Sequence, residues 1–101
     1  MMTTLDRDNT ISLNNYLNEL TDADASRKSK IENEMVEIGE ALVPELVSKI
    51  QVVKGSLRGI IAMTLIRIGA PAVDFIEKAA ENNSEFQWVA DYLIKEIGTA
   101  A

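Results

Sequence analysis

The sequence predicts an all-α domain built from about three antiparallel helix hairpins, six helices in all. Three observations carry this. Apolar residues recur at three- and four-residue spacing (Ile31, Met35, Ile38; Leu57, Ile61, Leu65, Ile68; Phe86, Ala90, Ile94, Ile97), which lines each set along one helix face. No stretch alternates apolar and polar residues as a half-buried strand would. The segments ending in Gly39, Gly69 and Gly98 repeat one another, 30 and then 29 residues apart.

The breaks define the elements. Helices are expected over roughly 10–20, 25–38, 41–53, 56–68, 71–81 and 85–97. Thr21 to Asp24 separates the first two, and Asp24 can accept from the free amides of the helix it precedes. Gly39 and Gly69 end the second and fourth helices in the left-handed conformation, and Pro71 suits a first helical turn. Lys54 to Ser56 breaks the chain again, as does Glu81 to Ser84, where Ser84 is the expected cap. Residues 1–9 form a polar, flexible segment ahead of a single domain, 10–101, whose repeats run about 10–38, 41–68 and 71–97.

The repeat register sorts side chains. One, four and eight positions before each glycine stand Ile38, Ile68, Ile97; Met35, Leu65, Ile94; and Ile31, Ile61, Ala90. Four and seven positions after the first two stand Val43, Val73 and Leu46, Ile76. One hairpin of this size cannot bury its apolar face alone, so the hairpins stack, with Met35, Leu65 and Ile94 expected in the interior of their own repeats. Nine and five positions back, Lys30 and Glu34 give way to Ile60 and Thr64, then to Val89 and Leu93. That column is expected to face the preceding hairpin and to cap the first one with polar groups. The column ten, six and three back contains Ser29, Asn33, Val36; Gly59, Met63, Ile66; and Trp88, Tyr92, Lys95. It is expected to face the next hairpin, which leaves Trp88 and Tyr92 at an end with nothing beyond.

The run Glu37-Ile-Gly-Glu-Ala-Leu-Val-Pro-Glu-Leu-Val47, and Leu57-Arg58 with Ile61, Leu65 and Ile68-Gly-Ala-Pro-Ala-Val73 after it, resemble the short HEAT-like repeat of the phycobilisome-lyase-type family. The likeness extends from about residue 10 to the end and is strongest from 34 to 80. Arg58 stands where that repeat commonly has arginine, with Lys28 and Gln87 at the equivalent positions; Val53 and Lys54 occupy the region that usually supplies an acid before it. The resemblance implies a short α-solenoid used for protein recognition, not lyase activity.

Composition narrows function further. The 101 residues contain no Cys and no His, which removes thiol nucleophiles, imidazole bases, Cys/His zinc sites, thioether attachment of a chromophore and disulfides. Gly55-Ser-Leu-Arg-Gly59 lacks the spacing and the Lys-Ser/Thr end of a phosphate loop. No enzymatic activity, cofactor or metal is expected. Acid pairs such as Glu32/Glu37 and Asp91/Glu96 read as solubilising charge. No apolar run approaches the roughly 18 residues a membrane helix needs, and the start of the chain has no apolar leader, so a cytoplasmic location is expected. The net charge of −6 divides as −5 over residues 1–40, +3 over 41–70 and −4 over the rest. Two acidic flanks around one basic centre argue against nucleic acid.

What remains is a protein-binding adaptor, scaffold or regulatory module. The contact residues expected are Trp88 and Tyr92, large rigid side chains one helical turn apart, flanked by Asp91 and Lys95, with Arg58 and Arg67 as weaker charged contributors beside Lys54. Two other readings share this fold. One is an accessory subunit or chaperone of a phycobilin-chromophore lyase or phycobilisome-associated complex. The other is a self-associating unit that dimerises through its C-terminal repeat.

Overall fold

A computed structural model describes residue 13 and residues 15–100 of the chain. Every regular element among them is helical. After helical residues 15–22 come α1 (Ala25–Ile38), α2 (Val43–Ile50), α3 (Gly55–Ile68), α4 (Val73–Asn82) and α5 (Gln87–Ala100). Short 3-10 turns, Gly39–Leu42, Ala70–Ala72 and Ser84–Phe86, lead into α2, α4 and α5. The first expected helix, 10–20, begins outside the described residues, as does the segment 1–9.

Local chemistry places most ends. The Asp24 carboxylate accepts from the Arg27 amide at 2.8 Å, as its position before α1 requires. Gly39 (φ 72°, ψ −133°) and Gly69 (φ 84°, ψ −137°) turn the chain after α1 and α3 in a region that an L side chain rarely enters, and their amides donate to Met35 O and Leu65 O. Pro44 and Pro71 lie at the starts of the next helical segments, where a missing amide hydrogen costs nothing. At the other end of each hairpin, side chains cap the outgoing helix. Thr21 Oγ1 donates to Leu17 O (3.3 Å), Gln51 Nε2 to Val47 O (3.0 Å) and Asn82 Nδ2 to Lys78 O (3.1 Å), so one device recurs at nearly the period of the glycines.

Two expected features are corrected. Ser84 is not the cap before the last helix; Asn83 is, its side-chain oxygen accepting from the Glu85 amide at 3.2 Å, because Ser84 is already the first residue of the 3-10 turn. Gly98 does not end a helix. α5 runs through it to Ala100, with Thr99 Oγ1 donating to Lys95 O inside the helix at 3.0 Å.

The helices form two layers. α1, α3 and α5 lie side by side in one, α2 and α4 in the other, with α2 packed on α3 and α4 on α5 across the interface. The core fills the space between them: Ile31, Met35, Leu46, Ile50, Ile61, Leu65, Ile76 and Leu93 have no accessible surface. Among the described residues Thr64 is the buried polar one, and its hydroxyl is satisfied by Ile60 O at 2.8 Å. Met35 and Leu65 sit in the interior as the register requires, but Ile94 is only partly buried, because the hairpin that would cover it does not exist among the described residues. No single helix here is long and apolar enough to cross a membrane.

Polar contacts join neighbouring hairpins. Arg67 Nη1 donates to Glu32 Oε2 (2.7 Å) and Asn33 Oδ1 (2.8 Å), tying α3 to α1. Asn83 Nδ2 donates to Gln51 Oε1 (3.0 Å), tying the α4–α5 connection to the α2–α3 connection. Tyr16 Oη donates to Glu34 Oε1 at 3.1 Å and holds the N-terminal helical residues to α1. Burial first, then this bond to the Glu34 carboxylate, raises the phenol above its ordinary pKa. A phenol raised on folding stabilises the protein below the ordinary value of about 10 and loses that contribution as pH climbs through the raised one. Tyr16→Phe is therefore expected to cost about 0.5–1 kcal/mol near neutrality. It should also flatten the fall in stability above pH ~10 in denaturant titrations followed by circular dichroism. An alkaline profile unchanged by the substitution would mean that Tyr16 plays no part in that fall.

Candidate aromatic groove

α5 buries Val89 and Leu93 in the core, 7% and 0% exposed. Each residue of a helix is turned about 100° from the last, so Trp88 and Tyr92 must emerge on one flank of that buried line and Ala90 and Ile94 on the other. The second flank meets α4: Ala90, Asp91 and Ile94 line a hollow with Glu77, Ala80, Glu81 and Gln87. The first flank therefore meets α3. There Gly55, Gly59 and Ala62 offer almost no side chain, and the valley they leave is bordered by Trp88 and Tyr92. The groove has a volume of about 240 Å³, with Ile50, Val89 and Leu93 also in its lining and Arg58 at its rim. The rings stand clear of the surface, Trp88 70% and Tyr92 53% exposed, with Met63 49% exposed on the same helix as the glycines.

This corrects the expectation that Trp88 and Tyr92 face the place of a further hairpin. That face belongs to Glu77, Glu81, Gln87, Asp91 and Ile94. In the repeat register Glu77 replaces the buried Val47 and Asp91 replaces Ala62, so carboxylates stand on this face where the preceding hairpin has apolar side chains. The aromatic rings belong instead to the broad surface formed by the second helices.

Of the residues expected at the contact surface, the groove brings together Trp88, Tyr92 and Arg58. It does not include the others. Asp91 lies on the terminal face, Lys95 is exposed on α5 outside the lining, and Arg67 is held by Glu32 and Asn33. Arg58 also borders a second, polar hollow of about 220 Å³ with Gln51, Asn83, Glu85, Phe86 and Trp88. The ion pairs among the described residues are Arg27–Glu19 and Arg67–Glu32, so Arg58, partly buried, has none with any of them.

Comparison with family models, curated proteins and solved structures finds no match. The groove has to be judged on its own chemistry. A larger cleft of about 410 Å³ lies between Ile66, Gly69, Val73, Ile94, Ile97 and Gly98. Its one charged lining residue, Arg67, is already paired, and it contains no aromatic ring, so it reads as the uncovered flank of the final hairpin. Among the described residues no three carboxylates gather as a metal ion would need. What the aromatic groove offers is apolar area, two rigid rings and a guanidinium without an ion pair among the described residues.

Sequence reasoning missed the α3 side of the groove. The signal was present in the register, where Gly59 and Met63 occupy the positions of Trp88 and Tyr92. A small residue in one repeat beside a large one in the next leaves a valley whenever the two helices are neighbours.

Proposed function

We propose that the chain is a non-catalytic protein-binding module, a short HEAT-like α-solenoid that recognises a partner protein through the surface of its second helices, with the groove between α3 and α5 at the contact. The observation that carries this is the exposure of Trp88 and Tyr92 beside a partly apolar valley. Aromatic area of that size left in water on a small domain is costly unless something covers it, and such rings dominate contact energies where they are found. The two-layer stacking of hairpins on a common register supports the solenoid reading. With neither imidazole nor thiol in the sequence, binding is the simpler use of this surface.

The test is the double variant Trp88→Ala/Tyr92→Ala, used beside the parent chain to capture proteins from the source cell and measured by light scattering. The variant is expected to keep its helicity and to lose the proteins, or the second copy, that the parent holds. Stability should fall far less than the roughly 3–5 kcal/mol typical of truncating a buried aromatic. Retention of every captured protein by the variant would place the contact elsewhere, and unfolding on that larger scale would make the rings core.

A further inference from the structure

We infer that the groove between α3 and α5 receives an acidic segment of a partner protein, with an apolar side chain over Gly59 and Ala62 between the rings and a neighbouring carboxylate on Arg58. This rests on the groove being the protein-binding site, and adds the chemistry of what enters it.

The charge distribution carries the argument. The molecule is acidic as a whole, yet the residues around this groove are not. Arg58 is in its lining, and Lys54, exposed and extended, is the residue that precedes α3 and so adjoins Gly55 of the same lining. Of the acids of α4 and α5, Glu77, Glu81 and Asp91 line the hollow on the opposite flank of α5, and Glu96, one turn beyond Tyr92, is outside the lining of the groove. Glu85 borders the adjoining polar hollow with Arg58 but forms no ion pair with it. Arg58 therefore differs from Arg27 and Arg67, each of which already holds a glutamate. A guanidinium presents a planar fork of donors, and a carboxylate is the partner that fits the fork with two parallel bonds. A cationic segment would meet Arg58 and Lys54 with like charge, and no acid lines the groove to offset them, Glu85 lying in the adjoining hollow.

The apolar part of the groove sets the rest of the ligand. Its floor is Ile50, Ala62, Val89 and Leu93, and about 240 Å³ admits one or two side chains, not a folded element. An extended or helical segment that presents a leucine or phenylalanine next to aspartate or glutamate fills both halves at once. A second copy of this chain, itself acidic, is the competing occupant, and phosphate-rich nucleic acid would meet the acidic flanks that the segment avoids.

Trp88 is the sole tryptophan, so its emission reports on the groove directly. The experiment titrates the full chain with short synthetic peptides containing one leucine or phenylalanine flanked by glutamates, and with twins in which every glutamate is lysine. The acidic peptides are expected to shift Trp88 emission to the blue with saturation, to bind at least about tenfold more tightly than the twins, and to weaken as salt rises. Arg58→Gln is expected to weaken the acidic peptides by about tenfold with circular dichroism unchanged, Arg58→Lys by less, and Arg67→Gln not at all. Equal binding of acidic and lysine peptides, no saturation by the acidic ones, or binding indifferent to Arg58→Gln would each overturn the inference. So would a peptide effect traced by light scattering to dissociation of a dimer. If the ring variant loses its captured partner while acidic and basic peptides behave alike, the acidic specificity fails and the module reading stands. If the ring variant keeps its partner, the module reading itself has the wrong surface.

Discussion

Leu65→Ala is expected to lower the free energy of unfolding by about 2–5 kcal/mol, whereas Ile94→Ala, at the same position of the repeat, should cost only about 1 kcal/mol. Leu65 has no accessible surface and lies in the continuous core that also contains Met35, Ile61 and Ile76. Removing three carbons there gives up transfer free energy and leaves a cavity that helices packed on both sides cannot close. Ile94 is partly buried and borders two open hollows, so water already reaches one side of it and truncation leaves no sealed void. Denaturant unfolding followed by circular dichroism separates the two. A loss under half a kilocalorie for Leu65→Ala would mean that the repeat register is wrong. Equal losses would mean that something covers the last hairpin in solution.

That pair of residues also shows how far the sequence could be read. Helix periodicity and the spacing of Gly39 and Gly69 place the ends of α1 and α3 and most of the core, because these are local properties: a helix face is a pattern within one segment, and a left-handed cap is one residue's choice. The direction in which Trp88 and Tyr92 point is not local. Their distance from Gly98 matches that of Gly59 and Met63 from Gly69, yet their surroundings depend on whether α5 has a neighbour on one side or on two. The same holds for the acids. Glu77 and Asp91 read as ordinary surface charge until Val47 and Ala62, their counterparts one hairpin earlier, are seen to face a packed neighbour. The amide tie from Asn83 to Gln51 was hidden for another reason: 32 residues separate the two, and neither carries a charge that would draw attention to it.

The three repeat glycines should respond to alanine with opposite signs. Gly69→Ala is expected to destabilise the protein by about 1–3 kcal/mol, because φ is 84° there and a β-carbon strains a backbone that α4 requires to turn at that point. Space is not the obstacle: the nearest atom to an added β-carbon is Ile66 O at 3.9 Å, so the cost is conformational. Gly39→Ala, at φ 72° with nothing nearby, should behave in the same way. Gly98 holds the same place in the repeat but lies inside α5, exposed, with open space where a β-carbon would stand. Alanine there narrows the unfolded ensemble and favours the helix, so Gly98→Ala should stabilise by about 0.5–1 kcal/mol. The physical difference lies in the path of the chain beyond each glycine. After Gly39 and Gly69 the chain must reverse, and Pro44 and Pro71 sit at the start of the helix it enters; after Gly98 come Thr99 and Ala100, which continue the helix, with Thr99 Oγ1 bonded back to Lys95 O at 3.0 Å. Equal destabilisation at all three positions, measured by the same unfolding assay, would show that α5 ends at Gly98 in solution.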